Sequence, residues 1–122
     1  MPYIDGFVAA VPTDRKADYI AHAREAWDRI FAPAGALRCT EAWGDDVPDG
    51  KVTSFPMAVQ CKPGETVVFS WIEWPDKPTR DACMAAMEAG EGMDAMAEMP
   101  MDGQRMIFGG FDPVLTLEST SG

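Results

Sequence analysis

The sequence predicts an α+β fold, a single antiparallel sheet with two helices on one face. Three observations carry that prediction. The chain has 122 residues, which is the size of one domain by the usual range of roughly 100–150 residues. It is 47% hydrophobic and 25% charged, an ordinary globular composition with enough apolar surface for a core. Runs rich in β-branched and aromatic residues also alternate with two runs of helical periodicity, in the order β-α-β-(β)-β-α-β.

Taken in order, residues 3–11, YIDGFVAAV, form an apolar and aromatic strand that Pro12 closes, since proline donates no ladder hydrogen bond. Thr13 reads as a helix N-cap, with Asp14 well placed in the first turn. On a wheel of about 100° per residue, Tyr19, Ile20, Ala23, Trp27, Ile30 and Phe31 share one face over residues 14–32. Asp18, Arg24, Glu25, Asp28 and Arg29 avoid the centre of that face, and Pro33 and Gly35 stop the helix. Residues 36–44, ALRCTEAWG, read as the second strand. The turn formers Asp45-Asp46-Val47-Pro48-Asp49-Gly50 follow it. Phe55 to Cys61 reads as a further extended piece, ahead of a Pro63-Gly64 turn. Residues 66–74, TVVFSWIEW, carry the strongest strand signal in the chain, and Pro75 ends it.

Asp76 is expected to cap a second helix from about Pro78 to Glu88. Gly90 lies just past its end, and Cys83, Met84 and Met87 lie on its inner face. The methionine-rich EGMDAMAEMPMDG reads as a short helix and then a loop. RMIFGGF at 105–111 is the last strand, broken by Gly109-Gly110. The domain spans 1–117, and the polar residues 118–122 read as a frayed tail. This order fits a ferredoxin-like β-α-β-β-α-β sheet.

Alternation by two sends successive strand side chains to opposite faces. Tyr3, Phe7 and Val11 therefore oppose Ile4 and Val8. Val67, Phe69 and Trp71 oppose Val68, Ile72 and Trp74, while Met106 and Phe108 oppose Ile107 and Phe111. An antiparallel sheet with helices on one side normally turns a polar face to water on the other. Here both faces are apolar, and an exposed patch of that size is unusual on a monomer. A second copy in a two-fold homodimer would cover it. The alternative is that the loop between Asp45 and Cys61 folds back over the sheet.

Charge excludes several function classes. The chain has 10 Lys+Arg against 20 Asp+Glu, a formal net charge of −10. Such a surface repels phosphate backbones and anionic membranes, so neither nucleic acid nor membrane is an expected partner. The start Met1-Pro2-Tyr3-Ile4-Asp5 has no basic region ahead of a long apolar run, so no signal peptide is expected and the location is expected to be cytoplasmic. The 3 cysteines, Cys39, Cys61 and Cys83, lack CxxC spacing and read as free thiols rather than disulfide or zinc ligands. No phosphate-binding loop, nucleophile elbow or other cofactor motif is present, and no cofactor or metal is expected.

The segments YIDGFVAAVP, ALRCTEAWGDDVPDGKVTSFPMAVQC, ETVVFSWIEWPDK and MDGQRMIFGGFDPV resemble the YbaA-like family of small bacterial proteins of unknown function. The run from Trp43 to Val59 is the most specific part, and the resemblance covers nearly the whole chain. It implies membership of the dimeric α/β-barrel superfamily, in which two ferredoxin-like subunits pack sheet against sheet. At that level it implies kinship with cofactor-free quinol-type monooxygenases, haem proteins such as chlorite dismutases, muconolactone isomerases and stress-response proteins. Some family members carry a label connecting them to signal-recognition-particle RNA. The net charge and the lack of a basic-aromatic patch argue against carrying that label over.

Three titratable residues stand out as candidates for catalysis. His22 is the only histidine, the residue type that titrates nearest neutral pH, and it lies at the edge of the apolar helix face beside Tyr19 and Ala26. Asp5 and Glu41 are acids within apolar strand faces, where a carboxyl must be paired, hydrogen-bonded or protonated. Arg38 and Arg105 are their possible structural partners, while Glu73 lies near a strand end and reads as exposed. Trp43, Trp27, Trp71, Phe7 and Met57 are candidate pocket residues, although aromatic side chains equally fill cores and interfaces. Asp45, Asp46 and Asp49 lack calcium-loop spacing and read as a solvated turn, or as a loop that caps a pocket or reaches across a dimer. The 9 methionines supply soft, adaptable packing.

The function expected is binding of a small apolar or aromatic molecule between helices and sheet, with cofactor-free monooxygenase- or isomerase-type chemistry if the protein is an enzyme. The alternative is a non-catalytic homodimeric interaction or stress-response protein.

Overall fold

Strands β1 (Tyr3–Pro12), β2 (Arg38–Trp43), β3 (Glu65–Trp74) and β4 (Ile107–Phe111) form one antiparallel sheet in the computed structural model, which describes residues 1–91 and 99–120. Their order across the sheet is β2-β3-β1-β4. The central pair, β1 and β3, is matched from Tyr3 opposite Trp74 to Pro12 opposite Glu65. The long helices, α1 (Lys16–Ala26) and α3 (Lys77–Glu88), pack on the same face. The ferredoxin-like α+β arrangement expected from the element order is therefore present.

Four local expectations need correction. Phe55–Cys61 is not a strand: Phe55–Ala58 is a one-turn helix, α2, and the Ser54 hydroxyl accepts from the Met57 amide at 3.1 Å. Pro56 lacks the donor a ladder needs but fits a first helical turn. Thr13 does not cap α1. Its hydroxyl shares a 2.7 Å hydrogen bond with that of Thr66, and residues Thr13–Arg15 form a 3₁₀ turn ahead of the helix. Tyr19, Ala26 and Ile30 are the residues that bury on the sheet side, whereas Ile20 is half exposed. Tyr19 and Ile20 lie about 100° apart on the wheel, so only one of them can face the sheet. β4 starts at Ile107 rather than 105, because Arg105 turns aside to grip Glu65 through two bonds of 2.8 and 2.7 Å.

The second long helix follows its local signals closely. The Asp76 side chain accepts from the Thr79 amide at 2.8 Å, and Gly90 takes φ 95° just past the end. Cys83 is buried, with Met84 and Met87 packed beside it against Ile30, Ile72 and Trp74. Gly110 is needed for a different reason: a Cβ there would lie 2.8 Å from Cε2 of the Tyr3 ring. The helix expected within EGMDAMAEMPMDG falls largely outside the described residues.

The second face of the sheet is only partly covered. The segment through α2 folds back as far as one end, where Val59 closes over Val8, Ala10 and Val67. Phe55 meets Phe69 edge-on with ring centroids 5.8 Å apart. Beyond that end lies an open apolar groove of about 580 Å³, lined among others by Ile4, Val8, Phe69, Trp71, Ile107 and Phe111.

Candidate functional site

Sheet register and helix spacing together build one chemically distinctive pocket. Phe7 lies opposite Ser70 on β3, and Ser70 lies opposite Glu41 on β2. Directly paired residues share a face, so Phe7, Ser70 and Glu41 make a row across the helix side of the sheet. Cys39 stands two residues from Glu41 on the same face. α1 sets Tyr19, His22, Ala23 and Ala26 above this row, at the spacing of one helical face. Between them lies a cavity of about 90 Å³, closed further by Phe31, Ile72, Met99, Met101 and Met106.

The polar groups inside form a connected cluster. The Tyr19 hydroxyl donates to Glu41 Oε1 at 2.5 Å, and the Cys39 thiol points at Oε2 from 3.8 Å. No Lys or Arg is among the described lining residues. Glu41 is exposed along one side, as its edge-strand position dictates, but its carboxyl group is held among Tyr19, Cys39 and Ser70. Burial pushes its pKa up, against the pull of hydrogen bonds from Tyr19, Ser70 and Cys39. The Tyr19 phenol is raised by burial and then by the Glu41 charge. The Cys39 thiol is pushed up to about 12 by the same two causes, so it is not a thiolate nucleophile at neutral pH. His22 is lowered by burial, and its Nε2 is buried with no hydrogen-bond partner among the described residues. At pH 7 the cluster thus holds a neutral phenol, thiol and imidazole around one carboxyl group. Such a group can exchange a proton with whatever occupies the cavity.

The structure separates the other candidates from this cluster. Asp5, 2% exposed, lies on the same face of β1 but belongs to a closed ion pair. Trp74 Nε1 donates to its Oδ2 at 2.9 Å, and Arg80 Nε and Nη2 donate to its Oδ1 at 3.1 and 2.9 Å. Its partner is therefore Arg80 of α3, not Arg38 or Arg105. Arg38 lies 3.7 Å from Glu73, and Arg105 binds Glu65 and Asp102. Trp43 packs on Tyr19 with centroids 6.5 Å apart and Lys16 Nζ 5.4 Å above its ring, behind the cavity wall rather than in it. Trp27 starts a π-helical turn, Trp27–Phe31, and does not line the cavity. Trp71 lines the open groove on the opposite face, and Met57 is exposed on α2. Phe7 lines the cavity and also borders the groove, where it stacks on Phe108 at 6.4 Å. Asp45 and Asp49 border a shallow polar surface depression with Lys62 and Glu65, and Asp46 is exposed. Among the described residues, no group of three His, Cys, Asp or Glu is placed to hold a metal.

Tyr19, Cys39 and Ser70 are site residues that composition and spacing do not single out. Ser70 carried the clearest signal, as the small polar residue in the middle of the helix side of TVVFSWIEW, flanked there by Val68 and Ile72. Tyr19 looked like plain core because its hydroxyl partner is 22 residues away in sequence.

The fold and this cluster define a ferredoxin-like α+β domain with a protonatable pocket between one helix and the sheet. Residues 2–103 match the family described as Protein of unknown function (DUF1428), and the chain belongs to that family. It is 51% identical over 116 residues to Uncharacterized protein YbaA of Escherichia coli (strain K12), covering 94% of this chain and 98% of the relative. The Shigella flexneri protein of the same name matches to the same extent. Among solved structures, a dimeric ferredoxin-like protein from an uncultured marine organism superposes with TM-score 0.54 at 15% identity, covering 98% of this chain and 100% of the other. Among the described residues, no helix is long and apolar enough to cross a membrane.

Proposed function

We propose that the protein is a cytoplasmic homodimer in which each protomer binds a small, uncharged, largely apolar molecule in the Tyr19–Glu41 cavity, and that Glu41 exchanges a proton with it. One observation carries this reading: a carboxyl group held 2.5 Å from a buried phenol, with no cation among the described residues that line the cavity and beside it an imidazole nitrogen that has no partner among the described residues. A purely structural acid in such a place is matched by a cation, as Asp5 is. The lack of a basic residue among the described lining residues also defines the ligand. An anion would meet no counter-charge there, whereas a neutral phenol, enone or lactone could offer a hydrogen-bonding oxygen to Tyr19 or His22.

A volume of about 90 Å³ equals roughly three waters at about 30 Å³ each. A ring-sized ligand therefore requires some widening, and Met99, Met101 and Met106 form the wall best suited to it because methionine is unbranched and adaptable. Isomerase-type chemistry balances on these residues alone. Glu41 takes a proton from one carbon of an unsaturated ligand and returns it to another, with no net oxidation. A monooxygenase reaction would use the same base and dioxygen as co-substrate, the ligand's own CH₂ group being oxidised to a carbonyl with one oxygen atom while the other leaves as water.

The test is to incubate protein with a panel of small enones, lactones and phenols in D₂O, following ligand protons by NMR and binding by calorimetry. Deuterium should enter the bound ligand with the native chain, and Glu41→Gln should bind without exchanging. A panel with no binder, or exchange that survives E41Q, removes Glu41 from this role.

The homodimer rests on the half-covered apolar sheet face, and the similar marine protein is described as dimeric. Face-to-face packing of two such sheets would give the dimeric barrel, and the three free cysteines suit a reducing compartment.

A further inference from the structure

We infer that residues 114–117 form an arm that seats on the open sheet face of a second copy of this chain, so that each protomer fills the groove of the other. The inference rests on the homodimer reading above and names the segment the partner supplies.

The seat is the groove of about 580 Å³ on the face away from the long helices. That volume equals roughly 20 waters at about 30 Å³ each, room for several side chains. Its walls include Phe69, Ile107 and Phe111, which are 44%, 45% and 61% exposed. The α2 segment covers only the Val8–Ala10 end. None of the described lining residues is charged, so among them the net charge of −10 sets no like charges against each other at the seat.

The arm begins where the groove ends. Phe111 closes β4, Pro113 still lines the groove, and the chain then leaves it. Val114, Leu115 and Leu117 are 92%, 73% and 81% exposed. Three aliphatic side chains within four residues thus stand in water beside an uncovered apolar groove, a combination unusual for a monomer. Residues 112–117 join no described strand of their own sheet. A two-fold axis solves both problems together, because the same operation that brings the partner's groove to one arm brings this groove to the partner's arm. Reach permits it. The six residues Asp112 to Leu117 extend to about 20 Å at roughly 3.3 Å per residue. Four strands about 4.8 Å apart are roughly 14 Å wide from first to last.

The experiment compares the intact chain with a chain ending at Pro113 and with the Leu115→Asp/Leu117→Asp double variant, by light scattering over a dilution series. The intact chain should be a dimer. Both variants should dissociate at protein concentrations at least about tenfold higher, since each loses the burial of two or more aliphatic side chains. Their circular dichroism should be unchanged. A mixture of Phe69→Asp chain, which keeps its arm but damages its seat, with truncated chain, which keeps its seat, should form a heterodimer tighter than either homodimer. If the intact and truncated chains dimerise equally, the arm is overturned while the sheet-face dimer stands. A monomeric intact chain overturns the dimer and the arm together. Failure of the mixture to form the heterodimer overturns exchange between protomers in favour of an arm that folds onto its own groove.

Discussion

Asp5 and Glu41 are both acids on the helix side of one sheet, two strands apart, yet they are solved in opposite ways. Asp5 lies on a central strand beneath α3. There Trp74 and Arg80 saturate both carboxylate oxygens, and Arg80 also stacks on Tyr3 with Cζ 5.4 Å from the ring. Glu41 lies on an edge strand beneath α1, and among the described residues its partners are neutral, a phenol at 2.5 Å and a thiol at 3.8 Å. A buried charge is tolerable when an opposite charge and full hydrogen bonding accompany it. A carboxyl that is partly buried with no cation among its described partners instead keeps its proton longer: burial pushes Glu41 up, and the hydrogen bonds from Tyr19, Ser70 and Cys39 only partly offset it. The first arrangement is a structural rivet. The second is what acid–base chemistry needs, a group poised to change protonation state.

The contrast can be broken most sharply at the rivet. Asp5→Ala strips the mostly buried Arg80 guanidinium of its buried partner and leaves it only the more exposed Asp81, at 3.1 Å, and chemical denaturation should show a loss of about 3 kcal/mol. Replacing the pair together, as Asp5→Leu with Arg80→Met, should recover most of that loss, because well-packed apolar residues of similar volume are often neutral in place of a buried ion pair. A double variant no better than D5A would mean that Asp5 has a task beyond pairing.

At the second acid the effects are smaller. Tyr19→Phe removes the donor at 2.5 Å from Glu41 and should cost about 1–3 kcal/mol. It should also move the Glu41 titration further up, because that hydrogen bond holds it down. Carboxyl-carbon NMR of the variant reads the shift directly, and an unmoved titration would show that Tyr19 does not tune the acid.

The pH dependence of stability sharpens the comparison between carboxyls further. Arg105 holds Glu65 down at about 2, from an ordinary 4.5. The unfolded chain therefore binds its proton first on acidification, and the stability Glu65 contributes is present above pH 4.5 and lost as pH falls toward about 2. Glu65→Gln should flatten that acid limb. Glu41 has the opposite sign. Its folded pKa lies above 4.5, so the folded state holds the extra proton and stability declines as pH rises from 4.5 through the elevated value. Glu41→Gln should abolish that decline and leave the protein no less stable at pH 7. Melting curves at a series of pH values separate the two, and matching slopes for both variants would refute the distinction. The smallest effect is at the helix end. Asp76→Ala removes the cap bond to Thr79 and should cost about 1 kcal/mol with no change at the pocket.

Much of the fold was legible because its signals are local. The period-two pattern of TVVFSWIEW places Val68, Ser70, Ile72 and Trp74 together on one face without knowledge of any neighbour. The Asp76 cap and the Gly90 stop are equally self-contained. The misreadings arose where a partner distant in sequence decided the outcome. Thr13 turned to Thr66 instead of capping its helix, and Arg105 left the strand for Glu65. Met57 and Trp71 looked like pocket residues by type, but the backfolding of α2 and the strand register put them on the other side of the sheet from the cavity.

The amino-acid sequence by itself determined the order of elements, the apolar character of both sheet faces and the presence of two acids within apolar strand surfaces. These follow from side-chain type and backbone period, which need only near neighbours. Only the tertiary structure decided which acid is riveted and which is poised. Arg80 reaches Asp5 across 75 residues and Tyr19 reaches Glu41 across 22. Burial and a charge partner are what set the behaviour of a carboxyl group, and both are properties of how helices land on a sheet rather than of any segment alone.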